Sequence, residues 1–458
     1  MSAVEPNLEE IIVDHIAETS FDDLDSQSID CCKNLILDTL GVAFPGSRAP
    51  GCPEILDLIG TWPVESGASV LLSGIQVSPP MAAMANSAMM HAMDFDDTLD
   101  ASALHTFVNV LPAALAASGN GKPVSGKELI TALVVGVDII CRISLAIDRP
   151  LSWIRTATCG CFGAAATAAK VLGLNREEIF NALGVVYGQT SGNAQGLLEG
   201  RLVKRMQPGF AASAGVLSAF LAGRGITGSR RFLTGPYGYY PLYEQGSFDP
   251  APVTESLGKH YSIVDLSLKP YPACRMTHAS IDAALALRAR AMPVEEIERI
   301  DVSVCSMGAE MVGKPFQPGS NPQVDAQFSI PYTTACALIR GDVFLRDFET
   351  EAIADAAVMG LAKRVRVAAD PALAAKDILS AKMTVVRKDG AAISEDVPIP
   401  LGNPRNPMNA DQCRRKFTKC LDYSGFPLKE DACETLFSMI EHLEALGDVQ
   451  DLIRIMGG

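Results

Sequence analysis

Helix start signals recur along the first half of this chain, from Asn7 to about Gly223. A Ser or Asn with a Glu three positions later, or a Ser-Pro pair, repeatedly precedes an apolar run of helical period. These pairs are Asn7 with Glu10, Ser78 with Pro79, Ser125 with Glu128, and Asn175 with Glu178. Such caps satisfy backbone N–H groups that the first turn of a helix leaves unpaired. This half of the chain is therefore predicted to be all-α.

Beyond residue 290 the sequence also contains short runs in which apolar and polar residues alternate, and this period of two predicts strands. Residues 381–387 and 391–397 flank an Asp389-Gly390 turn, which is the pattern of a β-hairpin. Helical patterns lie between the candidate strands and return after the Pro-rich residues 398–407. We predict a mainly α protein with two domains. A large all-helical domain is formed by both chain ends, residues 1–267 and 406–458, and a smaller α+β domain is inserted at residues 268–405.

The composition excludes several classes of protein. With 38 Lys and Arg against 53 Asp and Glu, the 458 residues carry a formal net charge of −15, which disfavours nucleic acid as a partner. The uncharged residues 101–121 and 206–223 are rich in Ala, Gly and Ser and contain Pro, so we predict buried helices there rather than membrane spans. An acidic beginning without a secretory signal and 12 scattered cysteines without a C-x-x-C motif indicate a cytoplasmic protein.

The most densely charged segment runs from His91 to Asp100 and contains Asp96-Asp97-x-x-Asp100. Carboxylates one helical turn apart can hold Mg²⁺, but such a site needs a second acidic motif, and the sequence has none. Two alternatives are stronger: the carboxylates cap a helix and fix a loop, or they orient a nearby His or Lys in a catalytic site. His105 follows in an otherwise uncharged run, where a structural and a catalytic role are both open.

Three cations, Arg201, Lys204 and Arg205, directly precede a small-residue helix that is predicted over residues 210–223. Cations at the start of a helix oppose its macrodipole, so helix stability does not explain them. An anionic ligand such as a carboxylate explains them better, because the free N–H groups of a helix start attract the same ligand. A solvated basic loop is the alternative.

A third cluster places Lys269, Arg275 and His278 at the junction between the two predicted domains. Arginine can clamp a carboxylate with two parallel hydrogen bonds, and clefts between domains often bind ligands. Cys274, in the same cluster, is more simply interpreted as a buried thiol than as a nucleophile. Tyr332, further along, either donates a proton from its hydroxyl or is a core tyrosine.

Together these segments resemble the MmgE/PrpD family, whose members include 2-methylcitrate dehydratases, cis-aconitate decarboxylases and an iminodisuccinate epimerase. The resemblance covers nearly the whole chain. It rests on residues 91–98, 204–209, 268–283 with the run KPYPACRxTHxxIDA, 325–332 and, more weakly, 402–417. It implies a helical domain with a smaller lid domain, a homodimer, and a reaction without metal or organic cofactor.

Position by position, the resemblance implies which residues belong to the site: Asp94, Thr98, His105, Lys204, Lys269, His278 and Tyr332. We add Arg205 and Arg275 as cations that bind substrate, the latter by adjacency to the matched residues. In this hypothesis His105 or Lys204 removes a carbon-bound proton and Asp94 orients the base. Lys269 and Arg275 hold carboxylates, and Tyr332 or His278 returns a proton.

The chain departs from the family pattern at two positions. Ile154 stands in a segment where decarboxylases and dehydratases usually carry a His, and Gln207 stands where a His is common. The predicted function is a lyase that dehydrates or decarboxylates a small di- or tricarboxylate. The departures keep open an epimerase that acts next to a carboxylate without loss of water or carbon dioxide. A catalytically inactive polycarboxylate-binding protein is a third hypothesis, and the presence of His105, Lys204 and Tyr332 argues against it.

Overall fold

The computed structural model describes residues 7–119, 121–150, 153–290, 293–374 and 377–457. The chain forms two compact units. The helical unit consists of Met1–Leu266 with Ala410–Gly458, and the inserted unit is Ser267–Asn409. Helices dominate the secondary structure, and the prediction of a mainly α fold is confirmed. That the inserted unit acts as a lid remains a prediction.

The helical unit opens with a long series of helices and one short antiparallel pair of strands, β1 (Ala68–Ser69) and β2 (Gln76–Val77). The helices are α1 (Leu8–Glu18), α2 (Ser26–Gly46), α3 (Cys52–Gly60), α4 (Pro79–His91), α5 (Phe107–Ser118), α6 (Gly126–Leu145), α7 (Arg155–Thr158), α8 (Gly160–Val171), α9 (Arg176–Tyr187), α10 (Gln195–Leu198), α11 (Val203–Ala222), α12 (Tyr239–Tyr243) and α13 (Ala251–Thr254).

The predicted helix starts are in place. The side chains of Asn7, Ser125 and Asn175 each accept a hydrogen bond from the backbone N–H three residues later, as an N-cap should. Helix α4 begins at the proline that the Ser78-Pro79 pair marked. These helices form where the sequence predicted them because the caps act locally, on backbone groups within one turn.

Helix α11 packs against α4, α5, α8 and α9 in the middle of the helical unit. Its glycines permit a close approach, since a Cβ added to Gly209 would lie 2.7 Å from the carbonyl oxygen of Met84 on α4. A Cβ on Gly215 would lie 2.5 Å from the Cβ of Ala164 on α8. The small-residue composition therefore brings the first turns of α11 to the C-terminal end of α4.

Two predicted helix bounds in this unit are wrong. Helix α11 starts at Val203 rather than at residue 210 and continues through Pro208, so Lys204 lies in its first turn. Among the described residues of the uncharged range 101–121, only Phe107–Ser118 is α-helical, because the acidic motif folds the preceding residues into turns. Among the described residues, no helix combines the length and the apolar character that crossing a membrane requires.

The inserted unit has a four-stranded sheet in the order β4-β3-β5-β6, in which β3 is parallel to β4 and antiparallel to β5. The predicted hairpin is confirmed: β5 and β6 pair antiparallel, and Gly390 in the turn has φ +83°. The strands are β3 (Ile297–Val304), β4 (Val365–Ala369), β5 (Ala381–Arg387) and β6 (Ala392–Val397). The helices are α14 (His278–Ala289), α15 (Ser306–Val312), α16 (Pro322–Gln327), α17 (Ile330–Arg340), α18 (Thr350–Ile353), α19 (Ala356–Ala362) and α20 (Pro371–Ala374).

The chain then returns to the helical unit through α21 (Ala410–Ser424), α22 (Glu430–Glu441) and α23 (Gln450–Ile455). Helix α21 packs against α2. It is amphipathic, and its buried side includes Cys413, Lys416 and Phe417. The buried Lys416 contacts Phe95 in the acidic segment of residues 91–100.

Candidate active site

The acidic motif forms the connection between α4 and α5, and Asp97 caps the second of these helices. The carboxylate of Asp97 is buried and accepts hydrogen bonds from the backbone N–H of Thr106 at 2.9 Å and of Phe107 at 3.1 Å. It also accepts one from the hydroxyl of Thr106 at 2.8 Å. The alternative that these carboxylates cap a helix and fix a loop is therefore correct for Asp97.

Asp96, the neighbouring residue, contacts two histidines instead. Its Oδ2 lies 2.9 Å from Nδ1 of His91 and 2.9 Å from Nδ1 of His105. Burial by itself raises the pKa of this carboxyl, but the two imidazoles that face it hold the pKa well below its usual value. Asp96 is thus an ionised carboxylate that orients two imidazole rings. The second alternative from the sequence, a carboxylate that orients a histidine, therefore applies to Asp96, whereas the helix-cap alternative applies to Asp97.

The contacts of His105 fix its tautomer. Its Nδ1 faces the carboxylate of Asp96 and the main-chain carbonyl oxygen of Asp97, the latter at 2.7 Å. Both partners only accept hydrogen bonds, so Nδ1 carries the proton and the lone pair of a neutral ring is on Nε2. The side chain is 14% exposed. An oriented imidazole with its basic nitrogen unprotonated is the arrangement that a general base requires.

His91, at the end of α4, joins Asp96 to Lys204. Its Nδ1 faces Asp96, and its Nε2 lies 3.1 Å from Nζ of Lys204 on α11. The ammonium group can only donate, so Nε2 of His91 is unprotonated and accepts. Burial, and next the positive charge of Lys204, lower the pKa of His91 to about 4. His91 is therefore a neutral ring with its proton on Nδ1.

Lys204 also contacts Asp94, whose Oδ1 lies 3.4 Å from Nζ. Asp94 has φ +53°, a left-handed conformation that Asp tolerates better than most residues. Each predicted base therefore has its own carboxylate: Asp94 contacts Lys204, and Asp96 contacts His105. The prediction that Asp94 orients a base agrees with the lysine contact, whereas the carboxylate at the histidine is a residue that we did not assign.

Thr98 and Arg205 complete the predicted residues of the helical unit. Thr98 is buried and directly follows Asp97. Arg205 lies beside Lys204 on α11, and its guanidinium donates to the main-chain carbonyl of Pro50 at 3.2 Å. Burial lowers the pKa of Arg205. This contact gives Arg205 a role in holding the turn at Pro50, and its binding of substrate remains a prediction.

Lys416 of α21 contacts the acidic motif through Phe95. Its ammonium group is buried, donates to the main-chain carbonyl of Phe95 at 2.8 Å and lies 3.9 Å from the centroid of the Phe95 ring. It also pairs with the buried carboxylate of Asp38 on α2 at 2.6 Å. The sequence reasoning missed this residue, although a Lys between buried Cys413 and Phe417 on an amphipathic helix was the available signal.

In the inserted unit, Arg275 and His278 of the motif at residues 268–283 form hydrogen bonds with each other and with main-chain carbonyl groups. The guanidinium of Arg275 donates to the carbonyl of Leu401 at 2.9 Å and to Nδ1 of His278 at 3.0 Å. Nε2 of His278 lies 3.1 Å from the carbonyl of Ala273, so this nitrogen carries the ring proton. Both nitrogens of His278 have protein partners, and its role as a proton donor remains a prediction. Arg275 likewise holds the protein main chain, and its binding of a substrate carboxylate remains a prediction.

Tyr332 is a core residue of the inserted unit. It is fully buried beside the rings of Phe316 and Phe348, and its hydroxyl donates to the main-chain carbonyl of Asp347. Burial raises the pKa of this phenol. The contacts of Tyr332 agree with the core-tyrosine alternative, and proton donation from Tyr332 to substrate remains a prediction. Lys269 is also buried, and its role toward substrate remains a prediction.

The two departures from the family pattern have different surroundings. Gln207 is buried and fixed by Asn193, since its Oε1 accepts from the backbone N–H at 2.7 Å and its Nε2 donates to the carbonyl at 3.0 Å. Ile154 precedes α7, in which the hydroxyl of Thr156 accepts from the backbone N–H of His105 at 3.2 Å. The segment that lacks the histidine thus contacts the main chain of His105 through Thr156.

His91, Asp96 and His105 also form a group that could hold a metal ion, since one donor atom from each lies within 4.8 Å of the others. The contact of Nδ1 of His105 with the carbonyl of Asp97 requires a proton on that nitrogen. Metal binding through Nδ1 would have to displace this proton. The three residues are therefore better described as a hydrogen-bonded group.

Comparisons with known proteins agree with the sequence motifs. Residues 10–251 match the MmgE/PrpD N-terminal domain, and residues 271–439 match the MmgE/PrpD C-terminal domain. The chain is 28% identical to a cis-aconitate decarboxylase of Mus musculus over 448 residues, which cover 93% of the chain and 88% of the relative. It is 27% identical to a cis-aconitate decarboxylase of Aspergillus terreus over 463 residues, 95% of the chain and 93% of the relative. A 2-methylcitrate dehydratase of Cupriavidus necator is 28% identical over 433 residues, 88% of each chain.

Proposed function

Because the chain belongs to the MmgE/PrpD family, as its motifs predicted, we propose that it is a lyase that dehydrates or decarboxylates a small tricarboxylate. The relatives named cis-aconitate decarboxylase and 2-methylcitrate dehydratase support this reaction class and this substrate class. The observation that carries the proposal is the pairing of an oriented base, His105, with a cation, Lys204, through contacts with the same buried residue, His91.

The proposed chemistry starts at a carbon next to a carboxylate. Nε2 of His105 accepts the proton from this carbon, and the resulting imidazolium is stabilised by the ionised Asp96. The negative charge that develops on the substrate lies toward the ammonium group of Lys204, which Asp94 and His91 hold in place. Dehydration then expels the hydroxyl group as water, and the proton that the leaving oxygen takes up comes from the imidazolium of His105. Decarboxylation requires the same cation, because loss of carbon dioxide also leaves carbanion character.

This chemistry needs only acid, base and cationic side chains, so the proposal includes no metal and no organic cofactor. We also propose that the protein is a homodimer. Val203, Phe210 and Leu217 are each at least 40% exposed and follow one another at intervals of seven residues on α11, so they form an apolar stripe on one face. The family resemblance implies a homodimer, and we propose that a second copy of the chain covers this face. The cytoplasmic location remains a prediction from the sequence.

An isomerase that epimerises a small dicarboxylate is the second candidate. The observation that favours it is the aliphatic Ile154, in the segment whose Thr156 contacts the main chain of His105, together with the fixed amide of Gln207. Decarboxylases and dehydratases of the family often have a histidine at these two positions. Epimerisation needs proton removal and return but no group that protonates a leaving hydroxyl. The same His105 and Lys204 would serve it.

Proton NMR in deuterated buffer tests these proposals with a panel of 2-methylcitrate, cis-aconitate, citrate and iminodisuccinate. New vinyl signals identify a lyase and its substrate, and exchange of a carbon-bound proton with an unchanged carbon framework identifies the epimerase. The Lys204→Ala variant should lose the reaction, while Lys363→Ala, an exposed lysine of the inserted unit, should keep it. Unchanged turnover in Lys204→Ala would refute the central assignment. Ligand-induced thermal stabilisation with silent spectra would instead indicate a binding protein.

A further inference from the structure

We propose that His91 is a positioning residue that acts as a neutral bridge, holding the ammonium group of Lys204 and coupling it through Asp96 to the base His105. This inference rests on the proposed function, because it takes His105 and Lys204 as the reacting groups. It concerns two residues, His91 and Asp96, to which the sequence analysis gave no role of their own. His91 does not touch the substrate in this proposal and acts only through its neighbours.

The groups around His91 fix the direction of each of its hydrogen bonds. Asp96 can only accept, and the ammonium group of Lys204 can only donate, so His91 must donate from Nδ1 and accept at Nε2. A second proton on Nε2 would face the charged Lys204 at 3.1 Å. His91 therefore stays neutral while Lys204 is charged, and a neutral acceptor fixes the lysine without cancelling its charge.

One carboxylate oxygen of Asp96 contacts the imidazole rings of both His91 and His105. Oδ2 of Asp96 contacts His91 and His105, while its Oδ1 is buried and has no hydrogen-bond partner among the described residues. The two Nδ1–H groups thus share the charge of one atom. When His105 takes a proton from substrate, its charge attraction to Asp96 increases, and the hydrogen bond that Asp96 accepts from His91 weakens. The protonation state of His105 therefore affects the contact between His91 and Lys204 through this shared oxygen.

Charged groups face this bridge from every element that packs around it. Lys204 comes from α11, and Asp94, Asp96 and Asp97 come from the connection between α4 and α5. His105 precedes α5, and its ring centroid lies 4.8 Å from that of His91. Behind the connection lie Asp38 of α2 and Lys416 of α21, which pair with each other. The net charge that His91 experiences is therefore set by Lys204 on one side and Asp96 on the other.

Two substitutions separate positioning from folding. His91→Gln keeps one donor and one acceptor on a neutral side chain, whereas His91→Leu removes both. We expect His91→Leu to lower kcat about tenfold or more, to change KM less, and to move the acid limb of the kcat/KM profile to higher pH. The shift has this sign because Asp96, having lost one donor, stabilises the imidazolium of His105 more strongly. His91→Gln should restore much of kcat and the position of the limb.

A merely structural role predicts a different result. Both variants would then contain less folded enzyme, and the pH profile of the remaining activity would not move. An unmoved acid limb in a well-folded His91→Leu protein would overturn the proposal, as would a His91→Gln protein that is no better than His91→Leu.

A second measurement does not depend on any substrate. The chain has six histidines, so ¹⁵N-histidine NMR of the full-length protein, assigned by single His→Gln replacements, resolves each ring. We expect His91 and His105 to carry the proton on Nδ1, and His91 to remain neutral when the pH is lowered from about 8 to about 5. An Nε2 proton on His91, protonation near the ordinary pKa of histidine, or a metal-bound Nδ1 would overturn the bridge. Because this readout needs no turnover, a silent substrate panel would refute the proposed function and leave the bridge to be judged by NMR.

Discussion

Asp96 and His105 are joined by a 2.9 Å contact between Oδ2 and Nδ1, and this contact leaves Nε2 of His105 as the basic nitrogen. The main-chain carbonyl of Asp97 reinforces the same tautomer at 2.7 Å. Orientation and charge of the base thus come from two consecutive residues, one through its side chain and one through its backbone.

Replacement of Asp96 should impair catalysis more than folding. In Asp96→Asn the side chain keeps its shape, but it is neutral and its amide group can donate, so the tautomer of His105 is no longer enforced. We expect kcat to fall about 100-fold or more. Steady-state kinetics with the substrate that the panel identifies measures this, and Asp22→Asn, at an exposed position, is the matched control. A variant that keeps full kcat would show that Asp96 does not orient the base.

Acid should destabilise the protein partly through His91. The pKa of His91 is about 4 in the folded protein and about 6.5 when unfolded, so between these values only the unfolded chain takes up the proton. The contribution of His91 to the free energy of unfolding is therefore greatest above about pH 6.5 and falls by about 3 kcal/mol as the pH drops toward 4.

Urea unfolding of His91→Gln between about pH 4 and 6.5 checks this, because the variant lacks the titrating ring and its stability should fall less steeply. His442→Gln, at an exposed position, should retain the slope of the unmodified protein. Equal slopes for all three proteins would mean that His91 does not contribute.

Removal of Lys416, which contacts the acidic motif through Phe95, should destabilise the helical unit. Lys416→Met leaves the buried Asp38 without the cation that it contacts at 2.6 Å, and we expect a loss of about 3–5 kcal/mol in the free energy of unfolding. The exposed Lys429→Met serves as the control. In the double variant Asp38→Leu with Lys416→Met, much of the loss should be recovered, since no unpaired charge remains. Chemical denaturation measures these three variants beside the unmodified protein, and a double variant that is less stable than Lys416→Met would contradict the pairing.

A charge in the apolar stripe of α11 should separate the proposed dimer. Phe210 is 40% exposed, and Phe210→Glu would bury a carboxylate in an interface between two copies. We expect the sedimentation coefficient to shift from that of a dimer to that of a monomer. Met307→Glu, an equally drastic change at a position that is 52% exposed in the inserted unit, should leave the dimer intact. Dimers that persist in Phe210→Glu would exclude this face as the interface.

The sequence by itself determined the mainly α fold, the starts of several helices, the hairpin at Asp389-Gly390 and the family. These features depend on local physics or on motifs read in order. A cap at Asn7 acts on N–H groups one turn away, and a turn at Gly390 needs only a residue that adopts positive φ. Neither requires knowledge of what packs against it.

Only the tertiary structure decided which residue of each cluster does what. Asp94, Asp96 and Asp97 are nearly adjacent in the sequence, yet they contact Lys204, two histidines and a helix start respectively. The same folding places Tyr332 in a core, where its hydroxyl bonds to the main chain. Side-chain roles depend on partners that lie more than 100 residues away, such as Lys204 for His91 and Lys416 for Phe95. Local patterns carry no information about such partners, because helix packing alone brings them within hydrogen-bonding distance.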